Sequence, residues 1–358
     1  MNACLFSFLL LGLLGCTPES SDKAPSSGAD TGAPDDSAGG DSAAGTDSGG
    51  EDSGKLPPLP MPWDAEGFWT NPGPLEHVLN PDPDGDQSWI LRVATSEDGE
   101  TWESTDLTPA KNFSSIDLFI IPNQGVIILG MVYDPDTYMD KDHLYALVSS
   151  DLVTWGSHDF EIIGAKYGNL VDPALYWTSW GMPAITYYAT DVFDVDPVLI
   201  GGDHEVRQAI WDGVQFVEQD LALFQDRGLV DPMICTLGGE RTLFVTQSSE
   251  RVLMARENAD GTYTEDESLR WEGQTVPFCR ADEAKGQVQV LSQGDGEYTI
   301  PRKGHLDDDG FTDDGELFEA FPWEENNGSA FAVGQFGATW YLFSAVNANL
   351  PDTSAGKP

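Results

Sequence analysis

Val171-Asp172-Pro173-Ala174-Leu175, followed after a turn by Ala184-Ile185-Thr186-Tyr187-Tyr188, reads as two runs of strand-forming residues with an aspartate and a proline near the head of the first. The phrase returns as Ser115-Ile116-Asp117-Leu118-Phe119 with Val126-Ile127-Ile128-Leu129, and as Val230-Asp231-Pro232-Met233-Ile234 with Thr242-Leu243-Phe244-Val245. Two copies without the aspartate follow, at Val276-Pro277-Phe278-Cys279 and Gly328-Ser329-Ala330-Phe331. Five copies spaced by about 46 to 59 residues define a repeat of sheet-sized units.

Before each copy stands a second phrase, an apolar strand that ends in a tight turn and an aromatic residue. Ser96-Glu97-Asp98-Gly99-Glu100-Thr101-Trp102 and Ser149-Ser150-Asp151-Leu152-Val153-Thr154-Trp155 agree at four of seven positions, and degenerate forms occur at Asp212, Asp260 and Asp309. Trp89 to Thr95 and Trp102 to Leu107 match the later half of a repeat with no earlier half before them, and Ala330 to Phe343 matches the earlier half with no later half after it. Joined, the two halves complete one unit. The expected fold is therefore all-β, a five-bladed β-propeller whose last blade is closed by N-terminal strands, because a closed ring leaves only short, protected sheet edges. A β-sandwich is the competing architecture. The propeller is assigned to residues 88–347, after an irregular lead-in at 60–87 and before a flexible tail at 348–358.

The first 16 residues carry a short apolar run ending Leu13-Leu14-Gly15-Cys16. That run is too short for a permanent membrane span and fits a signal peptide, and its ending resembles a bacterial lipobox with Cys16 as the lipidated residue. Residues 17–59 are Ser, Gly, Ala, Asp and Pro with little apolar bulk, a composition that cannot offset its ordering entropy and reads as a disordered tether. The expectation is an exported protein, anchored to the outer membrane only through the lipid.

With 61 acidic and 17 basic residues the chain has a formal net charge of −44, which repels phosphate backbones and argues against nucleic-acid binding. Cys235 and Cys279 fall in the core phrases of neighbouring repeats, where a disulfide and two buried free thiols are both open. The five histidines are scattered without ligand spacing and read as surface or loop residues. Asp82, Asp84 and Asp86 alternate around a glycine as calcium ligands do, although position twelve of that loop is Leu91 and supplies no carboxylate. A calcium loop and a plain polar turn are both open there, and no other cofactor is expected.

The turn Val-Ser-Ser-Asp-Leu-Val-Thr-Trp at 148–155 and the segment VDPALYWTSWGMPAITYYATD at 171–191 resemble the first- and second-blade segments of five-bladed glycoside hydrolases, family 43 above all and family 32 more distantly. The resemblance spans about residues 88 to 345. It implies a general base at Asp117, a pKa-tuning carboxylate at Asp172 and a general acid at Asp231, where that family has Glu. Inversion at an anomeric carbon needs this division of labour, a proton donor on one face and a water-activating carboxylate on the other. Each aspartate could equally cap the entry to its strand by accepting backbone N–H groups. Two functions therefore stand side by side. One is an inverting hydrolase of furanoside or xyloside linkages, with Trp177 and Trp180 available for sugar stacking. The other is a non-catalytic propeller that serves as a binding or structural surface module. In either case the expected partner is a carbohydrate or another small polar ligand in the propeller cavity of a monomer.

Overall fold

The computed structural model describes residues 59–70, 89–132, 144–165, 170–189, 203–248, 250–294, 301–323 and 328–347. The leader with Cys16, the tether, the loop of Asp82, Asp84 and Asp86, and the tail lie outside the described residues. Five antiparallel sheets account for almost all of the described chain. Blade I is Phe113–Ile121, Gly125–Val132, Leu144–Ser149 and Gly156–Phe160. Blade II starts with Leu170–Trp177, Pro183–Ala189 and Asp203–Trp211, blade III is Leu229–Leu237, Glu240–Gln247, Arg251–Glu257 and Tyr263–Glu272, and blade IV is Gln274–Asp282, Gln287–Gly294, Arg302–Asp307 and Gly310–Glu316. Their first strands touch in the order I, II, III, IV, V and back to I, which closes the ring.

Blade V is the split one. Ser329–Phe336 and Thr339–Asn347 supply its two inner strands, and Trp89–Ser96 pairs antiparallel with the second of them, Ile90 opposite Val346, Val93 opposite Phe343 and Ser96 opposite Trp340. The outer edge is shorter than the expected Trp102–Leu107, since only Glu103–Ser104 is regular strand. Thr105 still donates its N–H to the Val93 carbonyl at 3.0 Å, but its hydroxyl takes the N–H of Leu107 at 3.2 Å, and Pro109 has no N–H to give. Pairing resumes where Leu91 donates to the Ala110 carbonyl at 3.0 Å.

Blade II departs from four strands. Its outer edge divides into Phe216–Glu218 and Phe224–Arg227, and Ile162–Ile163 adds in parallel to the first piece. Arg207 is the cause. Its guanidinium is buried between Glu205 (2.7 Å) and Glu218 (2.8 Å) and takes the carbonyls of Gln219 and Asp220, which pulls that stretch out of the ladder. His204 in the same strand is buried rather than at the surface, with Nδ1 2.6 Å from the Leu229 carbonyl.

The lead-in straps blades I and II together. A 3₁₀ turn at Pro62–Asp64 buries Trp63 edge-on to Trp177, with ring centroids 5.5 Å apart, and 5.7 Å from Phe119. Phe68 stacks on His158 at 4.4 Å, and Trp211 donates its indole N–H to the Pro60 carbonyl at 2.8 Å.

Candidate functional site

Every blade's first strand opens with a one-residue bulge, between Ser114 and Asp117, Val171 and Ala174, Val230 and Met233, Thr275 and Phe278, and Ser329 and Phe331. Each bulge holds one left-handed residue: Ser115 (φ 51°), Asp172 (50°), Asp231 (53°), Val276 (48°) and Ala330 (50°). Short polar side chains tolerate this conformation by bonding locally, whereas Val276 and Ala330 adopt it under strain. The five line one small axial cavity of about 20 Å³, with Pro173, Pro232 and Pro277 among its walls.

This register sets Asp117 apart from Asp172 and Asp231. The counterparts of Asp172 and Asp231 in blade I is Ser115, and Asp117 stands two residues further on, opposite Leu129, where the other blades have Ala174, Met233 and Phe278. The shared apolar-Asp-apolar spelling hid the offset, because the bulge that sets the frame is a backbone event with no residue signature of its own. Asp117 does not line the axial cavity. It is 4% exposed and accepts the N–H of Leu175 from blade II at 2.7 Å. Met233 does the same for the next seam but one, its Sδ taking the Cys279 N–H at 2.9 Å. Burial pushes the Asp117 carboxyl up to about 7, against the backbone N–H bonds that favour its charged form.

Asp172 and Asp231 do meet. The Asp231 N–H donates to Asp172 Oδ2 at 3.2 Å, the two carboxyl groups are hydrogen-bonded to each other, and Ser115 bonds to Asp172 from the other side. Thr246 bonds to Asp231 and accepts the Val276 N–H at 2.8 Å. Both carboxyls keep some surface on the cavity, yet protein crowds them enough that desolvation raises both, and the charge of Asp172 raises Asp231 further. Burial and mutual repulsion therefore favour a proton on the pair. A polar girdle runs from Ser115 through Asp172, Asp231 and Thr246 to the backbone of blade IV.

Chemically this girdle is closed. A volume of about 20 Å³ holds on the order of one water, far below the ~300 Å³ at which ligand pockets begin. Trp177, 39% exposed, ends the strand that Asp172 enters, about 16 Å along it, and Trp180, 66% exposed, lies in the turn beyond, so neither stacks a sugar held at Asp172. No cluster of three metal-ligating side chains occurs among the described residues. Cys235 and Cys279 form a disulfide that joins the first strands of blades III and IV, with Cα atoms 6.1 Å apart.

The larger concavity lies elsewhere. A cleft of about 420 Å³ opens between blades IV and V, with Trp102, Arg280, Lys285, Lys303 and Trp340 among its walls. It takes in the end of blade IV's first strand at Arg280 and Asp282 and the turn at Asp98 and Gly99, and shares no lining residue with the axial cavity. Sequence reading passed over it, although Phe278-Cys279-Arg280-Ala281-Asp282 places a cation in the first strand of a blade, in a chain with only 17 Lys and Arg.

No family model matches the chain, and no curated protein matches it. Solved structures do. The chain is similar to an α-L-arabinofuranosidase from Lactobacillus brevis (8% identity, 67% of this chain and 86% of that one, TM-score 0.49). It is also similar to one from Clostridium thermocellum (14%, 63% and 80%, TM-score 0.46). A third is the catalytic domain of a family 62 α-L-arabinofuranosidase from Coprinopsis cinerea (9%, 67% and 86%, TM-score 0.46). These are likenesses of chain path, and the chemistry of the site rests on its own residues.

Proposed function

We propose that this chain is a non-catalytic binding module built on a glycosidase-like five-bladed propeller, displayed outside the cell on a tether and held to the outer membrane by a lipid on Cys16. The observation that carries the reading is the axial girdle. A serine stands where the first of three carboxylates would be, and the remaining two bond to each other in a space of about 20 Å³. That arrangement ties blades together and leaves room beside the two carboxyls for on the order of one water. The leader and the Ser/Gly/Asp-rich segment at 17–59 support the location, and the excess of acidic residues supports a small polar or carbohydrate partner over a nucleic acid.

A second reading, an inverting hydrolase of furanoside or xyloside linkages, is favoured by one observation. Burial holds Asp231 in the protonated form that a general acid needs. Aryl arabinofuranosides, aryl xylosides and arabinoxylan separate the two. The binding reading expects no turnover above buffer and no difference between the wild type and Asp231→Asn. Turnover that both Asp172→Asn and Asp231→Asn abolish would replace it with the hydrolase. Location is checked by membrane fractionation, in which Cys16→Ser should move the protein from the membrane to the soluble fraction.

A further inference from the structure

We propose that the cleft between blades IV and V binds a small carboxylate-bearing ligand, which Arg280 grips through its guanidinium and Trp102 through its indole N–H. The cleft and the axial cavity share no lining residue, so this site stands whether or not the girdle has any chemistry.

Arg280 differs from most arginines of the described chain. Arg207, Arg241, Arg251, Arg256, Arg270 and Arg302 each hold a carboxylate within 4.0 Å. Acidic residues outnumber basic ones 61 to 17, so a carboxylate is the easiest partner to find. Arg280 has none. Its guanidinium lies over the Trp340 ring, 4.1 Å from the centroid, and one nitrogen donates to the Gln289 amide oxygen. The neighbouring carboxylates are occupied. Asp282 pairs with Lys285 at 3.4 Å, Glu100 with Lys303 at 2.5 Å and Asp314 with His305 at 2.8 Å, while Asp98 takes the N–H groups of its own turn. Burial brings the Arg280 guanidinium down to about 10, with Asp282 the only charge opposing it. A cation so placed, stacked and lining a cleft of about 420 Å³, suits a planar carboxylate that can accept two of its N–H groups.

Trp102 supplies an independent observation. Its turn is a copy of the one at Ser149 to Trp155, with the same serine and aspartate bonds to the backbone. In that copy the Trp155 indole N–H donates to the Leu152 carbonyl at 3.3 Å. The Trp102 N–H is buried with no acceptor among the described residues. A donor left unpaired costs its full desolvation, and an acceptor brought by a ligand removes that cost. Phe278, Val290 and Leu317 give the cleft apolar wall for the body of such a ligand.

The test is a titration of the purified chain, followed by calorimetry and by tryptophan fluorescence, with glucuronate and benzoate as probes and glucose and benzyl alcohol as their neutral counterparts. At least one carboxylate should bind at least about 10-fold more tightly than its counterpart. Arg280→Gln should weaken that binding by about 10-fold or more, and Trp102→Phe, which removes the N–H together with part of the ring, by about 3- to 10-fold. Equal binding of charged and neutral probes, no binding of either carboxylate up to about 10 mM, or unchanged affinity in Trp102→Phe would overturn the proposal. If Arg280→Gln does not fold, Trp102→Phe decides the matter alone. Asp231→Asn should bind as the wild type does, which separates failure of this site from failure of the axial reading.

Discussion

Asp117 and Val276 show how a single residue reports its backbone frame. Burial raises the folded-state pKa of Asp117 to about 7 from an ordinary 3.8, so folding favours its proton. The folded state then binds more protons than the unfolded one between those values, and the stability this group contributes, complete below about pH 3.8, is lost as pH rises through about 7. Asp117→Asn keeps an acceptor for the Leu175 N–H and has no proton to lose. Urea unfolding at pH 4.5 and pH 8 should show the wild type losing about 3 kcal/mol more than the variant over that interval. A variant with the same pH slope as the wild type would mean that Asp117 is ionised in the fold. Val276 is β-branched at φ 48°, where its counterparts in blades II and III are aspartates. Val276→Asn should gain about 1 kcal/mol, read as a higher urea midpoint with an unchanged m-value, because Asn accepts the left-handed conformation that costs Val 1–2 kcal/mol.

At the scale of the element, the bulged first strands do two tasks at once. Each turns its leading residue toward the axis and leaves the residues after the bulge to make contact with the next blade. Leu175 on Asp117 and Cys279 on Met233 are two such seams, and the third–fourth seam also carries the disulfide. The Cys235–Cys279 bond closes a loop of 44 residues, so its removal releases unfolded-chain entropy. Replacing both cysteines by serine should cost about 2–4 kcal/mol and lower the melting temperature without changing the sheet content seen by circular dichroism. A double variant as stable as the wild type would show that the thiols are unbonded in solution.

The whole molecule is held by its closure. Trp89–Ser96 lies between Thr339–Asn347 on one side and the edge at Glu103–Ser104 on the other, so the two ends of the propeller meet in one sheet. Leu91, Val93 and Ala94 on that strand are at most 1% exposed. Deleting residues 89–104 would open an unpaired edge along Thr339–Asn347 and uncover the core beneath it. The truncated chain should lose the cooperative melt altogether rather than shift it. A cooperative transition near the wild-type temperature would show that the ring is held by other contacts.

Much of this was legible in the chain itself. The phrases at Ser115, Val171, Val230, Val276 and Gly328 determined five sheets, and the incomplete halves around Trp89 and Trp340 determined that the ends must pair, because strand propensity, turn chemistry and the need to hide an edge are local or counting arguments. The Ser-x-Asp turns were likewise written in the residues, and Asp98, whose carboxylate takes the N–H groups of Glu100 and Thr101, is pulled down to about 2. Tertiary structure alone decided which residues face the axis. A one-residue bulge shifts the frame by an amount that no side chain records, so Ser115 and not Asp117 became the partner of Asp172. It also decided that Arg280, Trp340 and Trp102, on strands from opposite ends of the chain, would share one cleft. Contacts between distant strands follow from how the ring closes, and a sequence states that closure without stating which side chains it brings face to face.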